Sequence, residues 1–166
     1  MKKFNKEIEE QKEKNGERVP IQVSVYCFRK VENNILFLLL NRTPEYGRFW
    51  QGITGAPFQS EDLLDAAKRE LHEETNLIAD WIKEMSYRYS FPMRPEWDKF
   101  YRSDVVEIWE HVFLAHIIDV DRIIVSKEHD EMKWVSLEVG LNMLKWDGNK
   151  EALKSCYKYL NPTSEN

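Results

Sequence analysis

Glu70, Glu73 and Glu74 fall within about one turn of one another if residues 63–75 form a helix, and that spacing is where chemistry would concentrate. On a helical wheel Leu63, Leu64, Ala67 and Leu71 make an apolar stripe, and Glu70 and Glu74 lie along its margin, away from the solvated side. Carboxylates three and four residues apart repel one another, and at the edge of a buried face they also lose hydration. A cation is the natural remedy. Hard carboxylate oxygens suit Mg²⁺ or Mn²⁺, ions that share their coordination with the phosphate oxygens of a substrate. Arg69 stands four residues before Glu73 and eight after Glu61, so it can pair with an acidic neighbour and fix the carboxylate rotamers. An acidic pair is more often a solvated helix face, but position beside the apolar stripe argues against that origin here.

These side chains need a scaffold. Ile21, Val23, Val25 and Cys27 alternate with Gln22, Ser24, Tyr26 and Phe28, which predicts a strand with one buried face. After a turn at residues 32–34, the unbroken apolar run 35–40 predicts a central strand covered on both faces by helices. Pro44 and Gly47 mark a loop that carries Arg42 and Arg48 at its ends, two cations able to grip phosphate bidentately. Residues 49–57 read as one short aromatic strand. Ser60 is the expected N-cap of the acidic helix, with Glu61 and Asp62 in its first turn, and Asn76 fits the left-handed position after its last residue. Strands are expected over 81–91 and 105–118, joined by a proline-bearing aromatic loop long enough to suggest binding. A short strand or helical turn at 120–125, an edge strand at 132–136, a helix capped by Ser136, an interruption at Gly148 and a closing helix over 149–159 complete an α/β layered domain with a mixed sheet.

Composition bounds the remaining classes. At 166 residues, 42% hydrophobic and 13% aromatic, the chain suits one domain with a real core. Its net charge of -5 argues against a general nucleic-acid binder. The two cysteines, Cys27 and Cys156, have no metal-ligand spacing and read as free thiols in a reducing compartment. No segment reads as a signal peptide or a membrane span, so a cytoplasmic protein is expected. Residues 1–17 read as a charged N-terminal arm, helical or disordered, 18–160 as the domain and 161–166 as a polar tail. The arm could exchange onto a second copy, so a homodimer is one assembly open to the chain.

Gly55, then five residues, Glu61, then seven, and the run Arg69-Glu70-Leu71-His72-Glu73-Glu74-Thr75-Asn76-Leu77 resemble the Nudix box of the Nudix hydrolases at every defined position but one. The departure is Asn76, where the family carries glycine; both residues cap helices in the left-handed conformation. The resemblance implies the Nudix fold, an α/β/α sandwich around a mixed sheet, and a MutT-like pyrophosphohydrolase that uses a divalent metal, Mg²⁺ or Mn²⁺. It implies Glu70, Glu73 and Glu74 as metal ligands with the Thr54 carbonyl a further candidate, Arg69 and Glu61 as partners that orient them, and in-line attack of water on phosphorus.

Glu128-His129 followed by Trp134, and Phe49-Trp50-Gln51 before Thr54-Gly55, resemble the dihydroneopterin triphosphate and dATP pyrophosphohydrolase branch. Glu128 is then the expected late ligand or base, with Asp130 and Glu131 competing, and His129 a structural or substrate contact. Arg18, Arg42 and Thr54 are candidates for the triphosphate, and Arg94, Trp97, Phe100, Tyr101 and Arg102 for stacking on a base or pterin ring. The expected reaction is hydrolysis of a (deoxy)nucleoside or dihydroneopterin triphosphate to monophosphate and pyrophosphate. Another nucleoside-diphosphate linkage (a dinucleoside polyphosphate, ADP-ribose or a capped RNA end) and a non-catalytic nucleotide sensor are the alternatives.

Overall fold

The apolar run 35–40 and its alternating neighbour form the centre of one mixed sheet in the computed structural model, which describes residues 18–162. The readings of residues 1–17 as a charged arm and of 163–166 within the polar tail lie outside the described residues. Strands β1 (Ile21–Val31), β2 (Asn34–Arg42), β3 (Trp50–Gln51) and β4 (Ile53–Gly55) precede helix α1 (Leu63–Thr75). Then come β5 (Trp81–Pro92), β6 (Glu107–His116), β7 (His129–Val135) and helices α2 (Leu137–Met143) and α3 (Asp147–Leu160). The sheet runs β3-β2-β1-β6-β5, with β7 on the outer side of β2 and β4 against β1. Among the described strands only β1 and β6 pair in parallel.

The geometry that makes room for a site lies between β1 and β2. They pair at their hairpin, Phe28 with Phe37 through Val31 with Asn34, and then part. Beyond the parting, Val23 to Val25 of β1 pair with β4, while Leu40 and Asn41 of β2 pair with β3. The expected single strand over 49–57 is thus two short strands that leave one partner for the other at Gly52.

Alternation sends side chains to two cores. On one face Val23, Val25, Cys27, Leu38 and Leu40 meet Ala66, Ala67 and Leu71 of α1, whose small alanines let the helix sit close. On the other, Tyr26, Phe28, Phe37 and Leu39 meet Ala152, Leu153 and Cys156 of α3. Both cysteines are buried free thiols. The two-sided cover expected for β2 holds, and it holds for β1 as well: Val23 through Phe28 are all buried. The expectation of one solvated face on β1 fails because Tyr26 and Phe28 turn into the second core beneath α3, and Ser24 is fully buried on the same side.

Two helix boundaries also differ from expectation. Asp62, not Ser60, caps α1, its side chain accepting from Leu64 N–H at 2.9 Å. The chain first turns back at Phe58–Glu61, which commits the Glu61 carboxylate to Phe58 N–H and to Arg69. Gly148 does not interrupt the last helix but lies in its first turn; a Cβ there would come 2.4 Å from the Tyr89 ring, so glycine allows α3 to press on β5. Asn76 is left-handed at φ 60°, as its position predicts, and its N–H bonds to His72 C=O at 2.8 Å. Among the described residues no helix is long and apolar enough to cross a membrane.

Candidate active site

Arg69 is the hub of the acidic helix. Its Nε and Nη2 donate to the two carboxylate oxygens of Glu61, both at 2.9 Å, and Nη2 also reaches Ala56 C=O at 3.1 Å. Nη1 donates to Glu70 at 2.8 Å and Glu73 at 3.3 Å, and the guanidinium plane covers the Phe58 ring at 4.0 Å. Burial acts against its charge, but the bonds and charges of Glu61, Glu70 and Glu73 win, so the proton is held more firmly than on a free arginine.

Glu70 lies against the backbone of β4: a Cβ on Gly55 would stand 2.1 Å from its Cδ, so glycine is needed for the carboxylate to lie there. It is 9% exposed, and desolvation pushes its pKa up to about 8 against the opposing pull of Arg69, with Glu73 and Glu74 adding to the rise. Glu74 faces elsewhere. Ser126 Oγ donates to its Oε2 at 2.6 Å and His129 Nδ1 lies 3.2 Å from the same oxygen. Burial pushes Glu74 up, but His129, Ser126 and Arg42 together bring it below the usual carboxylate range. Gln51 Nε2 sits 3.4 Å from His129 Nε2, on the other side of the ring.

A cavity of about 850 Å³ opens at the parted end of β1 and β2, within the size of small-molecule sites. Glu70, Glu73 and Arg69 reach it from α1, Thr54 and Gly55 from β4, and Arg42 from β2. The loop between β5 and β6 supplies Arg94 and Trp97, with Arg94 stacked 5.3 Å from the Trp97 ring. Arg18 also lines it, over Phe100 at 4.6 Å, and its N–H ties to Phe100 C=O. Of the aromatic loop, Tyr101 is mostly buried and packs the wall, while Arg102 pairs with exposed Asp104 outside.

The expected late acid is placed differently. Glu128 does not line the cavity; its Oε2 lies 3.3 Å from Arg42 Nη2, and Arg42 does line it. Asp130 and Glu131 face Arg48, at 3.3 and 3.9 Å, and Glu131 also accepts from Asn41. Among the described residues no three His, Cys, Asp or Glu side chains stand arranged to hold a metal ion. The expected convergence of Glu70, Glu73, Glu74 and Glu128 is therefore divided: Arg69 gathers the first two, the Ser126–His129 segment holds the third, and Arg42 holds the fourth. A hard divalent cation still fits the first pair. Glu70 is a desolvated carboxylate whose neighbours leave its charge undercompensated, and it meets Glu73 at one Arg69 nitrogen.

One acid escaped the sequence reading. Glu110 on β6 lines the cavity on the α3 side, 3% exposed, beside Gln22, Tyr89 and Asn149. The signal was present: alternation places Ile108, Glu110, Val112 and Leu114 on one strand face, a carboxylate in an apolar row.

Comparisons with known proteins agree with this architecture. The model of the NUDIX domain matches residues 20–156. The dihydroneopterin triphosphate diphosphatase of Haemophilus influenzae is 30% identical over 142 residues, covering 83% of this chain and 85% of that protein. An octanoyltransferase of Myxococcus xanthus is 33% identical over 117 residues, 70% of this chain, and the match spans only 31% of that longer protein. A solved structure described as a NUDIX hydrolase from Listeria monocytogenes superposes with TM-score 0.73 at 30% identity, covering 87% of this chain and 97% of that one.

Proposed function

The chain belongs to the NUDIX domain family and is a NUDIX pyrophosphohydrolase, and we propose that its substrate is a nucleoside or pterin triphosphate cleaved to the monophosphate and pyrophosphate. The observation that carries this reading is one cavity bearing Glu70, Glu73 and Arg69 at one side and an aromatic, partly buried floor at the other. The likeness to the Haemophilus influenzae diphosphatase supports the pterin end of that class.

Glu70 and Glu73 would hold a divalent ion, Mg²⁺ or Mn²⁺, which supplies Lewis-acid polarisation of a phosphate when bound. Arg69 holds both carboxylates in place and, through Glu61 and Ala56, ties them to the loop before the helix. Arg42, Arg18 and Arg94 carry positive charge into the cavity and bind phosphate oxygens, with Thr54 beside them. Glu128 orients Arg42 from behind. Glu74, held by Ser126 and His129, fixes the end of α1 against the segment before β7.

The test is turnover by the purified chain, with Mg²⁺ or Mn²⁺, of a panel of nucleoside triphosphates, dihydroneopterin triphosphate, dinucleoside polyphosphates and ADP-ribose. Hydrolysis confined to the triphosphates supports the proposal. Preference for a dinucleoside polyphosphate or ADP-ribose would move the substrate to another linkage, and no turnover at all would overturn the catalytic assignment.

A further inference from the structure

Glu110 is a buried acid that phosphate chemistry at the other side of the cavity does not use. On β6 it stands level with Gln22 of β1 and Tyr89 of β5, and Val112 and Leu114, next along its face, are fully buried. Its Oε1 has no hydrogen-bond partner among the described residues, and its Oε2 accepts one long bond, 3.4 Å from Gln22 Nε2. It forms no ion pair among the described residues. Desolvation pushes it up to about 7, and the nearby Tyr89 and Ser24 hydroxyls only temper that rise. A buried carboxyl oxygen left unsatisfied is costly, and a group of this kind facing a cavity is completed by what the cavity receives.

The surroundings are built to hold it. Tyr89 packs beneath Gly148 at the start of α3, and its hydroxyl accepts from Asn149 Nδ2 at 3.0 Å. Phe91 and Trp97 line the same cavity edge to face, ring centroids 6.1 Å apart and planes at 77°, two apolar walls against either of which a planar ring can pack. An ionised carboxylate only accepts hydrogen bonds, so its complement is a donor edge.

We propose that Glu110 is the specificity-determining residue of this cavity, accepting hydrogen bonds from the ring N–H and adjacent exocyclic amine of a planar heterocycle. Guanine and pterin share that donor pair. Hypoxanthine lacks the amine, and adenine presents an acceptor where the ring N–H would be. The assignment rests on the triphosphate reading above, with phosphates toward α1 and the heterocycle toward Glu110.

Equilibrium binding to the full chain, read by tryptophan fluorescence, tests it with GTP, dihydroneopterin triphosphate, ITP and ATP. GTP or dihydroneopterin triphosphate should bind the wild type about tenfold or more tightly than ITP and ATP, since bonds to a charged group are at stake. The tighter of the two identifies the source of the donor edge. In Glu110→Gln, similar in shape but with an amide donor in place of one oxygen, that gap should shrink to about threefold or less. Equal wild-type affinity for all four overturns the proposal even if the variant does not fold, and so does a gap that survives in the variant. Turnover of the same compounds separates this inference from its premise. Discrimination in binding without hydrolysis contradicts the catalytic reading and leaves Glu110 assigned; hydrolysis without discrimination does the reverse.

Discussion

The Nε and Nη2 atoms of Arg69 face the two carboxylate oxygens of Glu61, each at 2.9 Å, in a bidentate pair that is mostly buried. Through it the loop before α1 and the acidic face of the helix become one rigid piece. A lysine has neither the planar fork nor the spare donors that reach Ala56 and Glu70. Arg69→Lys should therefore cost about 2–4 kcal/mol in chemical denaturation and lower turnover by roughly a hundredfold. Combining it with Glu61→Gln should add far less than the sum of the singles. Additive losses would show that the two residues act separately.

Gly55 tests how far the site depends on one missing methyl group. An alanine Cβ would overlap the Glu70 carboxylate, which must swing away from β4. Since the atom displaced belongs to a side chain, Gly55→Ala should fold, and its main effect should fall on turnover, at least about tenfold. A variant with wild-type kcat and KM would contradict the placement of Glu70.

Glu70→Gln and Glu73→Gln keep size and lose charge. Each should reduce turnover by roughly a hundredfold or more with Tm changed by only a few degrees. Weaker divalent-ion binding, followed by titration calorimetry, should accompany both losses.

The pH dependence of stability reports on Glu110. Its folded pKa of about 7 lies above the ordinary 4.5, so between these values the native state keeps a proton that the unfolded chain releases. Stability from this group is full below pH 4.5, declines as pH rises, and has fallen by about 3 kcal/mol once pH passes 7. Denaturation of Glu110→Gln beside the wild type isolates the effect: the variant should gain about that much relative to wild type between pH 4.5 and 7.5. A difference that does not vary with pH would mean that the carboxyl is not desolvated.

Asn76 does more than replace a glycine. Its Nδ2 donates to Arg122 C=O at 2.9 Å, and Arg122 Nε returns a bond to Asn76 C=O at 2.8 Å. Asn76→Ala keeps the left-handed strain and loses the side-chain bond, so it should destabilise by about 1–2 kcal/mol. Asn76→Gly relieves the strain while losing the same bond and should stay within about 1 kcal/mol of wild type.

The acidic helix was legible because its information is local. Spacing put the glutamates beside the apolar stripe, Arg69 within reach of Glu61, and Asn76 at the cap, and the structure has these relationships. The central strand β2 was legible for the same reason, an unbroken apolar run. The N-cap was misread because Ser60 and Asp62 both have the chemistry of a cap, and the choice is made by the turn that commits Glu61 to Arg69. Gly148 was misread because its reason, the Tyr89 ring, lies on a distant strand. The division of Glu74 and Glu128 from the other carboxylates is likewise tertiary: it depends on which loops bring Ser126, His129 and Arg42 to them. Glu110 left a sequence signal, but its unpartnered oxygen and its cavity are visible only when β1, β5 and β6 are side by side.

The most direct test of the central claim is product analysis by mass after a single turnover of dihydroneopterin triphosphate or GTP in ¹⁸O-labelled water with a divalent ion. The account predicts pyrophosphate and a monophosphate, with one ¹⁸O on one of the two, and loss of both products in Glu73→Gln. Release of orthophosphate and a diphosphate, or unchanged pyrophosphate release in that variant, would contradict it.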